Sequence, residues 1–211
     1  MIVSYEGVEF IKIIHGNTTV ACNPISKESK HKGPSFGADI ALISLNHPDT
    51  NGADNVSRKD KEPLVISGPG EYEIEGLFIK GFQTTSEYGG KQLINTIYKF
   101  EIDGIRVAYL GALSQTDLPG EVKEELGDTD ILIVPIGGNG VLEASEAYSL
   151  AVKREPSVII PIHYGIDGDK TALKDFLKEG GAEDVKAIDK LTIKKKDLLD
   201  KKGEIVVLKC S

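Results

Sequence analysis

The stretch ADIALISLNHPDTNGADN, Ala38 to Asn55, decides how this chain is read. Ile40-Ala41-Leu42-Ile43 is a short, unbroken apolar run, the pattern of a strand covered on both faces. It stops abruptly in small and polar residues, and His47 and Asp49 stand two apart just beyond it. Far down the chain, Ser157 to Gly165 (SVIIPIHYG) repeats the arrangement, with a β-branched run that ends in His163. Two strands that deliver such groups from their C-terminal ends describe a site at the edge of a covered sheet.

On the N-terminal side of this stretch, Val8 to Cys22 reads as a hairpin with His15 at its tip, and Asn23-Pro24 ends the second strand because proline cannot continue a ladder. Ser26 to Ser35 is a loop rich in Lys, Ser and Gly, and His31 within it belongs to no pattern. On the C-terminal side, a charged linker from Ser57 to Glu62 leads to a short strand, Leu64 to Ile66, and then to a hairpin that pivots at Gly76. Gly68 and Gly70 flank a proline and precede no helix, so they form no phosphate loop. Leu93 to Ile102 and Ile105 to Leu110 alternate around Asp103-Gly104, the strongest hairpin signal in the chain.

The second half changes rhythm. Leu118 to Leu126 suits a short helix with Pro119 in its first turn. Ile131 to Ile136 is a continuous apolar strand, and Ser145 to Arg154 is a helix that stops before Pro156. After the His163 strand, Asp169 can cap a helix whose Leu173, Phe176 and Leu177 share one stripe, and Ile205 to Leu208 reads as a closing strand. A hairpin-rich half and a strand–helix half bury their apolar faces together if two mixed sheets pack face to face with helices outside. No linker is long enough to divide the chain, so residues 1–211 are expected to form a single domain.

The 211 residues are 40% hydrophobic and 27% charged, the make-up of an ordinary globular domain. No run approaches the roughly 18 apolar residues of a membrane span, and Glu6 and Glu9 in the N-terminal stretch are unlike a signal peptide. Cys22 and Cys210 are too few for a disulfide scaffold or a thiolate cage, and a cytoplasmic protein with free thiols is expected. The net charge of −8 argues against binding a phosphate backbone. Lys190, Lys194, Lys195, Lys196, Lys201 and Lys202 cluster near the C-terminus, but interrupting aspartates make this a solvated face.

The apolar strand before His47-Pro48-Asp49, the strand end at Leu110-Gly111, Pro135-Ile136-Gly137-Gly138 and Ile160-Pro161-Ile162-His163-Tyr164-Gly165 together resemble the metallo-β-lactamase superfamily. The match is to its small bacterial and archaeal Zn-dependent hydrolase-like branch. The resemblance covers nearly the whole chain and implies a four-layer αββα sandwich. It also implies that the histidine before Tyr-Gly binds metal. The family pattern His-x-His-x-Asp-His falls here on Leu45, Asn46, His47, Pro48, Asp49 and Thr50, so His47 and Asp49 match while Leu45 and Thr50 stand where ligands should be. The next family histidine falls near Gln83 to Ser86, with Thr85 the nearest match. The bridging aspartate after the glycine is Ala112, and the family's early Asp-Pro is Asn23-Pro24.

Of the two implied zinc sites, one keeps only His47 and the other keeps Asp49 and His163. A catalytic zinc normally takes three protein ligands and a water, so a two-metal hydrolase of the usual kind is not expected. The expectation is a homologue with a degenerate metal centre, metal-free or non-catalytic and without a cofactor, that binds a small-molecule ligand or a protein partner and forms no complex with nucleic acid or membrane. A homodimer is in keeping with the family. The alternative is an ester or phosphoester hydrolase with one zinc or other divalent metal. In that case His47, Asp49 and His163 are the metal residues and Asp49 and His163 the catalytic pair. A third reading makes Asp49 and His163 a metal-independent base pair.

Overall fold

A computed structural model of the chain describes residues 1–59, 62–74 and 76–210. Residues 60 and 61 of the charged linker and residue 75 of the Gly76 hairpin lie outside them. In the first half, β1 (Ile2–Tyr5), β2 (Ile11–His15), β3 (Thr18–Cys22), β4 (Ile40–Ile43) and β5 (Leu64–Ser67) precede the hairpin of β6 (Gly70–Ile74) and β7 (Leu77–Ser86). Then come β8 (Leu93–Ile102), β9 (Ile105–Tyr109), α1 (Gly120–Gly127), β10 (Ile131–Pro135), α2 (Ala144–Val152), β11 (Val158–Ile162), α3 (Ala172–Glu179), β12 (Leu191–Thr192) and β13 (Glu204–Ile205). They form two mixed sheets, a six-stranded one ordered β12-β1-β2-β3-β4-β5 and a seven-stranded one ordered β13-β11-β10-β9-β8-β7-β6.

The apolar runs sit where their composition requires. All four residues of β4 are buried, and the strand lies parallel between β3 and β5. β10 and β11 are likewise buried throughout and pair in parallel, whereas the hairpins of the first half are antiparallel. Pro161 in β11 has no N–H to give. Its strand pairs with β13 only at Val158 and Ile159, so the ladder on that side ends before the proline.

The sheets face one another across a large apolar core that includes Val20, Cys22, Ile40 and Leu42 from the first and Ile97, Tyr98, Val107 and Ile133 from the second. The alternate residues Ala21, Ala41 and Ile43 belong to a second cluster, which Ile25, Phe36 and Val56 cover from loops and a 3-10 turn. Helix α1 lies over the second sheet, where Lys99 donates to Glu125 at 2.9 Å. The Tyr98 hydroxyl, 2.8 Å from the Ile43 carbonyl, ties one sheet to the other.

Three local readings need adjustment. Val8 and Phe10 are buried in the connection before β2 rather than in a strand. Ile2–Tyr5 and Leu191–Thr192, unread as strands, pair as β1 and β12. Of the closing strand only Ile205 lies in β13. Cys22 is buried and Cys210 half-buried. Among the described residues no helix is long and apolar enough to cross a membrane.

Candidate functional site

His47 and Asp49 follow β4, and His163 follows β11, as the strand pattern requires. Two loops shape the ground beneath the first pair. The Gly52 N–H donates to the Pro24 carbonyl at 2.7 Å, and the Ser26 N–H to the Pro48 carbonyl at 2.9 Å. A Cβ on Gly52 would stand 2.3 Å from the Ile25 carbonyl carbon, so only glycine lets these loops meet.

The three predicted residues gather around a fourth, Tyr88. Its ring packs edge to face against His47, with centroids 4.9 Å apart, and against His163 at 5.3 Å. Its hydroxyl lies 2.7 Å from Asp49 Oδ2 and 3.0 Å from Asp167 Oδ2. A phenol carries one proton, so it donates to one of these carboxylates at a time. Burial first, and the Asp49 carboxylate after it, push the Tyr88 phenol well above its ordinary range. Asp49 also accepts from the Ser29 hydroxyl. His47 Nδ1 accepts from the Asp49 backbone N–H at 3.2 Å and lies 3.5 Å from Asp49 Oδ2.

His163 is fully buried, and its Nδ1 lies 2.6 Å from Oε1 of the equally buried Glu9. Its Nε2 and the second Glu9 oxygen have no partner among the described residues. Burial lowers the basicity of this imidazole, but the Glu9 carboxylate outweighs it and the net shift is upward. The His163 backbone adopts φ of 60°, a left-handed conformation that costs a non-glycine residue on the order of 1–3 kcal/mol. Its N–H is anchored on the Val8 carbonyl at 2.7 Å. No hydrogen bond joins Asp49 to His163 among the described residues, because Tyr88 stands between them.

His31, which belonged to no sequence pattern, turns into this site. Its Nε2 lies 3.1 Å from Asp167 Oδ2. Asp167 also pairs with the exposed Lys30 at 3.6 Å and accepts from the Gly168 N–H. Burial acts to raise the Asp167 carboxyl, but the Gly168 amide, the Tyr88 hydroxyl and nearby positive charge hold it below the usual range. His31, Asp49 and Asp167 each bring a donor atom within 4.8 Å of the others. Lys30, His47, Asp49, Tyr88 and Asp167 line an open cleft of about 550 Å³.

Sequence reasoning missed Glu9, Tyr88 and Asp167 altogether. Glu9 had one usable signal, a lone carboxylate between apolar Val8 and Phe10. Tyr88 and Asp167 lie in loops whose composition is shared by any turn.

The two-metal centre that the resemblance implies does not fit the residues present. Leu45 and Ala112 are buried with Tyr88 and Val141 in the second apolar cluster. The Thr50 hydroxyl is spent on the Leu45 carbonyl at 2.7 Å. Asn23 is engaged on both sides by Ser44, at 2.7 Å each. Thr85 does not fill a ligand position either, because its hydroxyl donates to Gln115 at 2.6 Å.

Comparison with known proteins points the same way as the fold. The family model described as "Beta-lactamase superfamily domain" matches residues 3–163. A protein of Pyrococcus abyssi is 33% identical over 105 residues, a match spanning 48% of this chain and less than half, 45%, of that one. A protein of Listeria innocua, named a metal-dependent hydrolase, is 24% identical over 78% of this chain and 85% of its own length. Among solved structures, a proposed Zn-dependent hydrolase of the metallo-β-lactamase superfamily from Thermotoga maritima superposes with a TM-score of 0.77 at 27% identity. That match covers 100% of this chain and 99% of the other.

Proposed function

The chain belongs to the β-lactamase superfamily domain family, and on that footing we propose that it is a homologue whose metal centre has been dismantled and whose cleft binds a small polar ligand or a protein partner. The observation that carries this reading is the packing of Leu45, Ala112 and Tyr88 into one buried apolar cluster at positions where the superfamily pattern has, or adjoins, ligands. Leucine and alanine have no lone pair to offer, and the Tyr88 ring takes up the space between the two histidines. The cleft outside remains polar, with Lys30, His47, Asp49 and Asp167 on its walls, the lining of a site for a small hydrogen-bonding molecule. In this reading residues 1–211 act as one cytoplasmic domain. The net charge of −8 disfavours a nucleic-acid partner, and a homodimer is compatible with the fold.

A second reading has an observation of its own. Glu9 holds the His163 ring by Nδ1 at 2.6 Å and leaves Nε2 without a partner. A carboxylate in that position is the usual outer support of a metal-ligating histidine. This favours an ester or phosphoester hydrolase with one metal on Asp49 and His163, helped by His47, and the naming of the Listeria relative agrees with it.

The experiment that separates them is metal analysis of protein purified without chelator, followed by hydrolysis assays on aryl ester and phosphoester substrates with zinc and manganese restored. The first reading expects no metal-stimulated turnover. Turnover that disappears in both Asp49→Ala and His163→Ala overturns it in favour of the second.

A further inference from the structure

We propose that His31, Asp49 and Asp167 bind a single divalent cation at the mouth of the cleft, displaced from the sheet-edge position that the superfamily pattern uses. Two of the three ligands come from loops outside that pattern, the one after β3 and the one after β11. The inference goes beyond the dismantled-centre reading, since the ion sits outside the apolar cluster that closes the old position.

Three observations converge. The donor atoms of one imidazole and two carboxylates lie within 4.8 Å of one another. Ligands bound at about 2.0–2.2 Å to one first-row ion stand at mutual distances within that limit. Three protein ligands also meet the count at which such an ion keeps an open position for water.

The second observation is a pair of neighbouring carboxylates with little counter-charge from lysine or arginine among the described residues. Asp49 is 4% exposed at its side chain, and its neighbours are the Ser29 and Tyr88 hydroxyls and the imidazole of His47, with no lysine or arginine paired to it among the described residues. Asp167 is next to it through the shared Tyr88 hydroxyl, whose single proton cannot serve both carboxylates. Lys30, 70% exposed, is a weak counter-charge at 3.6 Å. Two carboxylates joined through one hydroxyl make a seat for a cation.

The third observation lies outside the cluster. His163, with no exposed surface, packs against the Tyr88 ring and has an Nε2 without a partner. The Tyr88 hydroxyl joins that ring to Asp49 and Asp167, so the ion would lie one aromatic ring away from a buried nitrogen without a partner. One nitrogen and two carboxylates suit manganese, iron(II) or zinc better than calcium, which takes six to eight oxygens.

The test uses the full chain, stripped of metal by dialysis and titrated with Mn²⁺ by calorimetry, with bound manganese counted. One ion per chain is expected. His31→Gln and Asp167→Asn should each weaken binding at least tenfold. Electron-spin-echo modulation from a directly bound nitrogen should be present in the wild type and in His163→Gln, and absent in His31→Gln. Far-UV circular dichroism checks the fold of each variant, and His31→Asn and Asp167→Ser replace any that fails. Absence of binding to the wild type overturns this inference and leaves the dismantled-centre reading standing. Two ions per chain overturn both. Binding lost in His163→Gln but kept in His31→Gln and Asp167→Asn returns the ion to the sheet edge and overturns the displaced site.

Discussion

Glu9 Oε1 and His163 Nδ1 lie 2.6 Å apart, across 154 residues of sequence, and neither side chain has any exposed surface. The pair joins the β1–β2 connection to the end of β11, and His163 packs against the Tyr88 ring that lines the cleft. Removing one partner strands the other in the core, which typically costs about 3–5 kcal/mol. Glu9→Gln is expected to lower unfolding stability by an amount of that order.

The same pair sets a pH dependence. The His163 proton is held more tightly in the folded state than in the unfolded chain, since Glu9 outweighs the opposing effect of burial. The stability it adds is therefore complete below the ordinary histidine value of about 6.5, and is lost as pH rises through the raised folded value. Urea unfolding at pH 5.5 and pH 8.5 should show the wild type losing stability at the higher pH. Glu9→Gln should lose less, and equal losses in the two proteins would contradict the assignment.

Leu45 is 1% exposed and packs with Tyr88 and Ala112. Leu45→Ala should cost about 2–5 kcal/mol, as for a leucine deep in a core. A cost below about 1 kcal/mol in denaturant melts would count against the proposed closing of the metal centre by apolar packing.

Tyr88→Phe keeps the ring between His47 and His163 but removes the hydroxyl from Asp49 and Asp167. Leaving a buried carboxylate short of a donor costs roughly 1–3 kcal/mol. The loss should appear in thermal melts of the metal-free protein.

Asp130 holds the opposite end of the second sheet. It accepts from the Arg106 backbone N–H at 2.8 Å, from Arg106 Nη2 at 3.1 Å and from Lys195 Nζ at 2.6 Å. Burial opposes its ionisation, but these donors prevail and hold its carboxyl down at about 2. Its contribution is present above the unfolded value of about 3.9 and is lost as pH falls towards the folded one. Asp130→Asn should lower stability by about 1–3 kcal/mol at pH 7. That difference should narrow in urea melts as the pH drops below about 4.

The strands were legible because their signals are local. Four apolar residues at Ile40–Ile43 mean a strand covered on both faces, and Asp103-Gly104 between alternating runs means a hairpin. The helix after Asp169 was legible for the same reason, but its N-cap is Thr171 rather than Asp169, which bonds the Thr171 N–H at 2.6 Å from outside the helix. The candidate site was legible only at its strand tips. His47, Asp49 and His163 were found because they end apolar runs, whereas His31, Tyr88 and Asp167 sit in loops whose direction is set by tertiary contacts. Leu45 and Ala112 showed that apolar residues stand where the superfamily pattern has ligands, but nothing in the order of residues told that the Tyr88 ring lies between the two histidines. β12 escaped notice because it is two residues long and pairs only with the far end of the chain, and β1 because its partner β2 starts later than the sequence pattern suggested.

The span between Glu9 and His163 also bears on time. Hairpins such as β8–β9 can close within about 1–10 μs, while contacts between distant parts of a chain slow its folding. The Glu9–His163 contact should accordingly be among the last to form during refolding. With no tryptophan in the chain, tyrosine fluorescence would report that step, Tyr88 meeting its carboxylates only after the sheets have formed. A molecule that grips this cleft would thus recognise chains that have finished folding and pass over those that have not.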